Sequence, residues 1–464
     1  MRKFSLFIIV VLAMGLPLAA QQTTFIVSAA QQDMQGIMDR HGLTVVKELY
    51  DGPVNCVMLV TSPSANVAAV QSDVSSDLLV LTVEPQQRAT LPEVSNNTQP
   101  TLTQSTTSIL DTLPGRTLVP FFGSIVPSNY SSQSATNIIR LADARNATKL
   151  TGAGTVAVID TGADFNHPAL TSVLLPGYDF THETVGASEL SDLSPAMAAQ
   201  LQQSTTSILD AQNTLILNTS SVAILNQSTT SILDQSTTSI LDSTLAEFGH
   251  GTMTAGIVHL VAPTAQIMPL KAFHADGSSN LSDIIRAIYF ASDNGANVIS
   301  MSFSLGQPSP GLQAAIQYAL GKNVTLVASS GNDGLKTIVY PAGFSGVEGV
   351  GSSNSNDQRS SFSNYGNDVV TFAAPGEGVI TTYPGGAYAA GWGTSFSAPL
   401  VAGAAALALQ AKPTAKPRDI INVFSKAKQI SNMGYGRIDL YQALTSFVNT
   451  LPASTSSNTG TNKF

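Results

Sequence analysis

Three short segments carry side chains able to do nucleophilic chemistry. Asp160 ends the apolar run TVAVID and is followed by Thr161 and Gly162. That places a carboxylate at the carboxyl end of a buried strand, where open α/β sheets keep their sites. His250 lies in GHGTMTAGIV, where Gly249 and Gly251 permit close backbone approach and the following residues can start a helix. Ser395 lies in GWGTSFSAPLVAGAAALALQ, at the start of a helix of small residues whose unpaired amide groups and dipole favour negative charge. Taken singly, each has a plainer reading: an aspartate that caps a turn, a structural histidine, a serine that caps a helix. Together they are the parts of a nucleophilic hydrolase. A serine hydroxyl is weakly nucleophilic at neutral pH until an imidazole takes its proton. The imidazole in turn needs a carboxylate to hold its tautomer and stabilise the imidazolium.

The elements that must position these groups can be traced along the chain. Over residues 137–448 the β-branched runs TVAVID, NVISMSF and NVTLVASSG alternate with helical stretches such as LSDIIRAIYFASDNG and GLQAAIQYALGKN. Runs that are apolar on both faces imply an α/β domain around a buried, mostly parallel sheet. Residues 21–91 alternate short strands with two helices and fit a small α+β unit of βαββαβ order. A linker rich in Ser, Thr, Pro and Asn over 92–136 offers a place for proteolytic cleavage, and residues 449–464 have the composition of a disordered tail. MRKFSLFIIVVLAMGLPLAA, residues 1–20, has the basic start, apolar run and small-residue end of a signal peptide. Its apolar run is shorter than the roughly 20 residues a spanning helix needs. An exported, secreted or extracytoplasmic protein with no membrane span after cleavage near Ala20 is expected. Charged residues make up only 11% of the 464 and the net charge is -9, which argues against a nucleic acid partner. The single cysteine, Cys56, excludes both a disulfide framework and a cysteine-based zinc site within one chain.

One segment is repetitive. QSTTSILD occurs at 104–111, at 203–210 and twice in tandem over 227–242, and degenerate copies make 203–242 a run of five octads inside the α/β domain. On a helix of about 100° per residue, eight residues would walk the Ile-Leu pair around the axis by about 80° per repeat, so no face would stay apolar. A period of two keeps each Ile on one face and each Leu on the other, which suits strands. The octads are read either as a tolerated surface expansion or as a contact surface.

The three chemical segments resemble the subtilisin family of serine peptidases. VAVIDTGADFNHPAL is similar to the family's Asp block, HGTMTAGIV to its His block and GTSFSAPLVAGAAAL to its Ser block, in the same chain order. The resemblance implies a three-layer subtilisin-like α/β catalytic domain. Asp160 would orient, His250 would act as general base and then acid, and Ser395 would be the nucleophile. VTLVASSGNDG is similar to the family's oxyanion segment, so Asn332 would donate its amide to the tetrahedral oxyanion with the Ser395 backbone N–H. SFSLGQ resembles the segment that pairs with extended substrate, implying Ser304, Leu305 and Gly306, while Ser330 and Gly331 would form part of a small, apolar first specificity pocket. The expectation is a broad endopeptidase with an apolar preference acting on proteins or peptides. Residues 21–91 resemble the family's propeptide, a ferredoxin-like intramolecular inhibitor removed by self-cleavage.

Departures from the family pattern bear on cofactors. HGTMTAGIVHL runs directly into VAPTAQIMPLKAF where many relatives insert a calcium-binding loop, and Ala169 stands where an acidic calcium ligand is common. No strong calcium site of that type is expected, and the acyl-enzyme mechanism requires no cofactor. His167, His182, His259 and His274 lack paired ligand spacing and are read as core or surface residues. Phe396, Ser397 and Leu400 replace residues common in the Ser block and bear on fine specificity alone. A monomer is expected. The alternatives are a catalytically silent binding protein, which retention of all four catalytic-type residues argues against, and a narrow processing protease whose octads restrict access.

Overall fold

The computed structural model describes residues 23–53, 55–91, 117–195, 214–217, 222–227 and 247–450. The signal peptide, the first part of the linker, the terminal tail beyond residue 450 and the exact octad copies, apart from Gln227, lie outside the described residues. The chain divides into two units, Met1–Gln86 and Gln87–Phe464.

In the first unit, alternation in TTFIVSAA puts Phe25, Val27 and Ala29 on one face of strand β1 (Thr23–Ala30). Helix α1 (Gln31–His41) presents Met34, Ile37 and Met38 to that face at helical spacing. Strands β2 (Thr44–Asp51) and β3 (Asn55–Ser62), helix α2 (Val67–Ser75) and strand β4 (Val80–Pro85) complete the βαββαβ order. The Asn66 side chain caps α2 by accepting from the Ala69 N–H at 3.1 Å. The strands pair antiparallel in the order β2-β3-β1-β4, the ferredoxin-like arrangement.

The second unit begins with a short strand, β5 (Arg88–Thr90), followed by the hairpin β6 (Leu118–Phe121) and β7 (Ser124–Pro127) and helix α3 (Leu141–Thr148). Residues 87–91, expected to belong to the amino-terminal domain, group with the second unit because their backbone bonds are made there. The central sheet comprises β8 (Thr155–Asp160), β9 (Tyr178–Asp179), β10 (Thr184–Val185), β13 (Gln266–Lys271), β15 (Val298–Met301), β16 (Thr325–Ser329), β17 (Val347–Ser353) and β18 (Phe372–Pro375). Its order is β10-β9-β13-β8-β15-β16-β17-β18, parallel throughout except where β10 meets β9. Both faces are covered, as the doubly apolar runs require. Val156 and Val158 face one core with helices α4 (His250–Val261) and α7 (Thr394–Ala411), while α5 (Leu281–Asp293) and α6 (Pro310–Gly321) cover the other face. Burying one such valine is worth roughly 1.5–3 kcal/mol. Helices α8 (Pro417–Phe424) and α9 (Leu440–Thr450) complete the α4/α7 side. Helix α7 has the length and apolarity of a membrane span, but its residues are nearly all buried in this core.

Two degenerate octads form strands, as the even repeat predicts: β11 (Thr214–Leu217) and β12 (Val222–Gln227). They extend the hairpin of β19 (Val379–Tyr383) and β20 (Ala387–Gly391), with Val222 opposite Gly391 and Leu225 opposite Tyr388. The remaining strand, β14 (Ser278–Asn280), pairs with β5.

Candidate active site

The carboxylate of Asp160 sits at the carboxyl end of β8, 1% exposed, with its backbone carbonyl fixed by the N–H groups of Ala272 and Phe273. Oδ1 accepts from the Thr161 N–H at 2.8 Å and from His250 Nδ1 at 2.7 Å, and Oδ2 accepts from the Thr254 hydroxyl at 3.1 Å. An ionised carboxylate only accepts, so Nδ1 carries the proton and Nε2 is the basic nitrogen. His250 is the first residue of α4, and the glycines around it are required by space. A Cβ on Gly249, at φ +96°, would stand 2.3 Å from the Tyr383 ring, and one on Gly251 would stand 2.1 Å from the Gly162 carbonyl. Burial alone would lower the imidazole pKa, but the adjoining Asp160 carboxylate, with Glu247 and Glu189 behind it, lifts it to about 9.

Ser395 is the second residue of α7, 2% exposed, at the end where helix N–H groups lack intrahelical partners. The ring of the next residue, Phe396, lies 5.5 Å from the His250 ring. The Ser395 hydroxyl donates to the Ser302 carbonyl across 3.4 Å, a long bond of the kind that nucleophiles exchange when substrate is bound. Asn332 follows β16. Its Oδ1 accepts from the Thr394 N–H at 2.9 Å and the Thr394 hydroxyl at 2.8 Å, so the group its amide can offer a substrate oxygen is Nδ2. A Cβ on Gly393, beside Ser395 in the chain, would be 3.2 Å from that Nδ2.

A cleft of about 430 Å³ adjoins these groups, lined by Thr90, Leu91, Glu247, Asp276, Gly277, Ser304, Asn332 and Asp333. Strand β5 lies in it, antiparallel to β14 with Ala89 opposite Ser279, and Thr90 bridges to Ser304. The Leu91 N–H donates to the Gly277 carbonyl at 3.0 Å. Of the residues expected to pair with substrate, Ser304 faces β5, whereas both backbone groups of Leu305 bond Tyr340 on the opposite side, at 2.7 and 2.9 Å. Gly306 lines a separate cleft with Tyr340 and Tyr365. Ser330 and Gly331 are buried and are not among the residues that line this cleft. The Ser330 N–H bonds Val350, its hydroxyl points to the Asn364 carbonyl at 3.4 Å, and the Asn364 N–H donates to Gly331. Glu247, Asp276 and Asp333 also line this cleft, which is not the pocket expected around Ser330 and Gly331.

Ala169 is fully buried among Phe121, Tyr130, Leu260 and Trp392, a setting that offers no ligand to a hard cation. The Arg145 guanidinium donates to the carbonyls of Leu260 and Val261, at 2.5 and 3.0 Å, so a fixed positive charge already serves the carboxyl end of α4. Residues at this place do not fit a calcium ion. Among the described residues no group of three or more His, Cys, Asp or Glu is placed to hold a metal. His167 and His259 are core residues, while His182 and His274 are about two-fifths exposed beside Asp192. Thr254, Ser302 and Thr394 escaped the reading of single residues; the signal for Thr254 and Thr394 was their place in the His and Ser blocks, and that for Ser302 its place at the start of SFSLGQ.

Comparison with known proteins agrees with this geometry. Residues 152–443 match the profile of the Subtilase family. A thermophilic serine proteinase from Bacillus sp. (strain AK1) is 34% identical over 307 residues, 65% of this chain and 64% of that protein. Subtilisin BL of Lederbergia lenta is 39% identical over 175 residues, 36% of this chain and 65% of that one. Thermitase of Thermoactinomyces vulgaris is 38% identical over 211 residues, 42% of this chain and 75% of that one. The matches to the first two thus span a little under two thirds of those relatives. A protease structure from Pseudoalteromonas arctica superposes with a TM-score of 0.51 at 27% identity, covering 67% of this chain and 94% of that one. With its family profile spanning well over half of the sequence and its blocks set on a mostly parallel three-layer sheet, the chain belongs to the subtilase family of subtilisin-like serine peptidases.

Proposed function

We propose that the chain is an exported serine endopeptidase that hydrolyses peptide bonds through an acyl-enzyme and removes its own amino-terminal domain. The observation that carries this reading is the buried 2.7 Å pairing of Asp160 with His250 Nδ1, beside the α7 amino terminus that bears Ser395. His250 Nε2 takes the proton as Ser395 Oγ bonds the substrate carbonyl carbon. The oxyanion accepts from Asn332 Nδ2 and the Ser395 N–H, and collapse expels the amine with the proton returned by Nε2. Water repeats the sequence on the ester and frees Ser395. The proposed mechanism uses no metal, and a calcium site of the usual family type is not proposed, given the apolar setting of Ala169 and the Arg145 cap.

Main-chain pairing in the manner of β5 would make binding tolerant of sequence. An apolar preference is supported by the same segment, in which Ala89 of the strand and Leu91 just after it are each 4% exposed while Arg88 and Thr90 are exposed. A peptide library cleaved only beside a charged residue would overturn that preference. Residues 87–91 lying as a strand against Ser304 also support the propeptide reading, in which this segment blocks the cleft until cleaved. Buried Cys56 would leave with the removed domain, giving a cysteine-free mature enzyme suited to an oxidising exterior. The test is intact mass of the chain from Gln21, alongside Ser395→Ala. Release of an amino-terminal fragment of about 70 to 115 residues, given the unit and linker positions, is expected only from the parent. If the folded parent stays full-length, self-maturation is refuted.

A further inference from the structure

Glu189 is fully buried in the one-turn 3₁₀ helix Glu189–Asp192, far from the three sequence blocks in composition and motif. Its Oε1 accepts from the Thr161 hydroxyl at 2.5 Å and from the Gly249 N–H at 2.6 Å. Its Oε2 accepts from the Thr252 N–H at 3.0 Å and from the Thr252 hydroxyl. The Thr161 hydroxyl oxygen accepts in turn from the Gly251 N–H at 2.8 Å. These partners have one thing in common. Thr161 directly follows Asp160, and Gly249, Gly251 and Thr252 surround His250. A single carboxylate therefore ties the loop that carries the acid to the helix start that carries the base, and it satisfies N–H groups that α4 leaves without intrahelical partners.

From this arrangement we propose that Glu189 is a positioning residue for the Asp160–His250 pair and part of the electrostatic field that sets the basicity of His250. The inference rests on the catalytic roles proposed above. All four contacts on Glu189 come from donors, hydrogen bonding that favours the ionised carboxylate and opposes the burial that raises its pKa. The negative charge lies at the amino terminus of α4, where the helix dipole favours it. The other charged or titratable groups around the network are Asp160, Glu247, Tyr383, and Lys271, whose ammonium donates to the Thr161 carbonyl at 2.8 Å and to Asp192 at 2.7 Å. A second contact holds the segment in register, since the Glu189 N–H donates to the Ala163 carbonyl at 3.1 Å.

Glutamine at 189 tests the idea, because its amide nitrogen would confront donors on one side while its size is unchanged. Parent and Glu189→Gln enzymes are titrated for active sites with an organophosphonate, then assayed on a soluble peptide across pH. We expect kcat per titrated site to fall about 10- to 100-fold, as misplacement of catalytic groups does, with KM within about twofold. The acid limb of kcat/KM should also move to lower pH as a negative charge near His250 is lost. A lower melting temperature with kcat per site and the acid limb both unchanged would mean a merely structural role and overturn the proposal. Should the glutamine variant not fold, Thr161→Val, which removes the link between Glu189 and Gly251 and leaves the Glu189 charge in place, is judged by kcat per titrated site against KM, an unchanged kcat per site overturning the proposal. Failure of the parent to be labelled at Ser395 would instead sink the catalytic reading itself.

Discussion

Replacing Glu348 by glutamine isolates the energetic cost of a buried carboxyl in the central sheet. Glu348 stands in β17, 3% exposed, and its Oε2 meets no hydrogen-bond partner. Burial alone pushes its pKa from 4.5 to about 8. The folded protein thus holds a proton that the unfolded chain gives up above pH 4.5. The stability tied to that proton is fully present below pH 4.5 and is lost as pH rises through 8. At about 1.4 kcal/mol per pH unit, unfolding free energy should fall by about 4 kcal/mol between pH 5 and 8 through this group. The variant lacks the titration. An unpartnered amide N–H costs about 1–3 kcal/mol at every pH, which offsets the variant's curve without tilting it. Both proteins are studied in a Ser395→Ala background to prevent self-digestion, with urea unfolding followed by Trp392, the chain's single tryptophan, buried in the same unit. Other groups titrate equally in both and cancel in the difference. Curves that stay parallel within about 1 kcal/mol from pH 5 to 8 would refute an uncompensated carboxyl at this position.

Three further outcomes are expected. Asn332→Ala should lower kcat by about 10²–10³, the range found for an oxyanion donor in subtilisin itself, with KM little changed; a loss confined to KM would remove Asn332 from the oxyanion role. Because Asp160 raises the His250 pKa above 6.5 to about 9, and only the neutral imidazole accepts a proton, kcat/KM should rise with pH through a midpoint above 7; a midpoint at or below 6.5 would contradict the pairing. Arg145→Met should destabilise the protein by about 2–4 kcal/mol through loss of two charge-assisted bonds to the end of α4, while EDTA should leave the parent's melting temperature unchanged; a marked fall with EDTA would reveal a calcium site.

Much of the site could be read before any fold was known, because its chemistry is local in sequence. Asp160 ends a run apolar on both faces, His250 is flanked by two glycines, and Ser395 opens a helix of small residues. Those patterns record strand ends, close approaches and helix starts within a few residues, so types and spacing suffice to find them. The βαββαβ order and the strands in two degenerate octads followed in the same way from periods of 3.6 and 2. What remained hidden depends on residues far apart in the chain. Glu189 meets Gly249 and Thr252 across 60 and 63 positions, and Arg145 reaches Leu260 across 115. Neither carries a periodicity or flanking motif, and an isolated Glu or Arg in sequence is indistinguishable from a solvated one. The pairing of β12 with β20, the commitment of Leu305 to Tyr340 and the carboxylates of the cleft belong to the same class. The sequence determined which groups are assigned to the proposed chemistry and on which kinds of element they sit. Only the tertiary structure decided which distant side chains hold them, because hydrogen bonds and burial depend on how the sheet and its helices pack and not on neighbours along the chain.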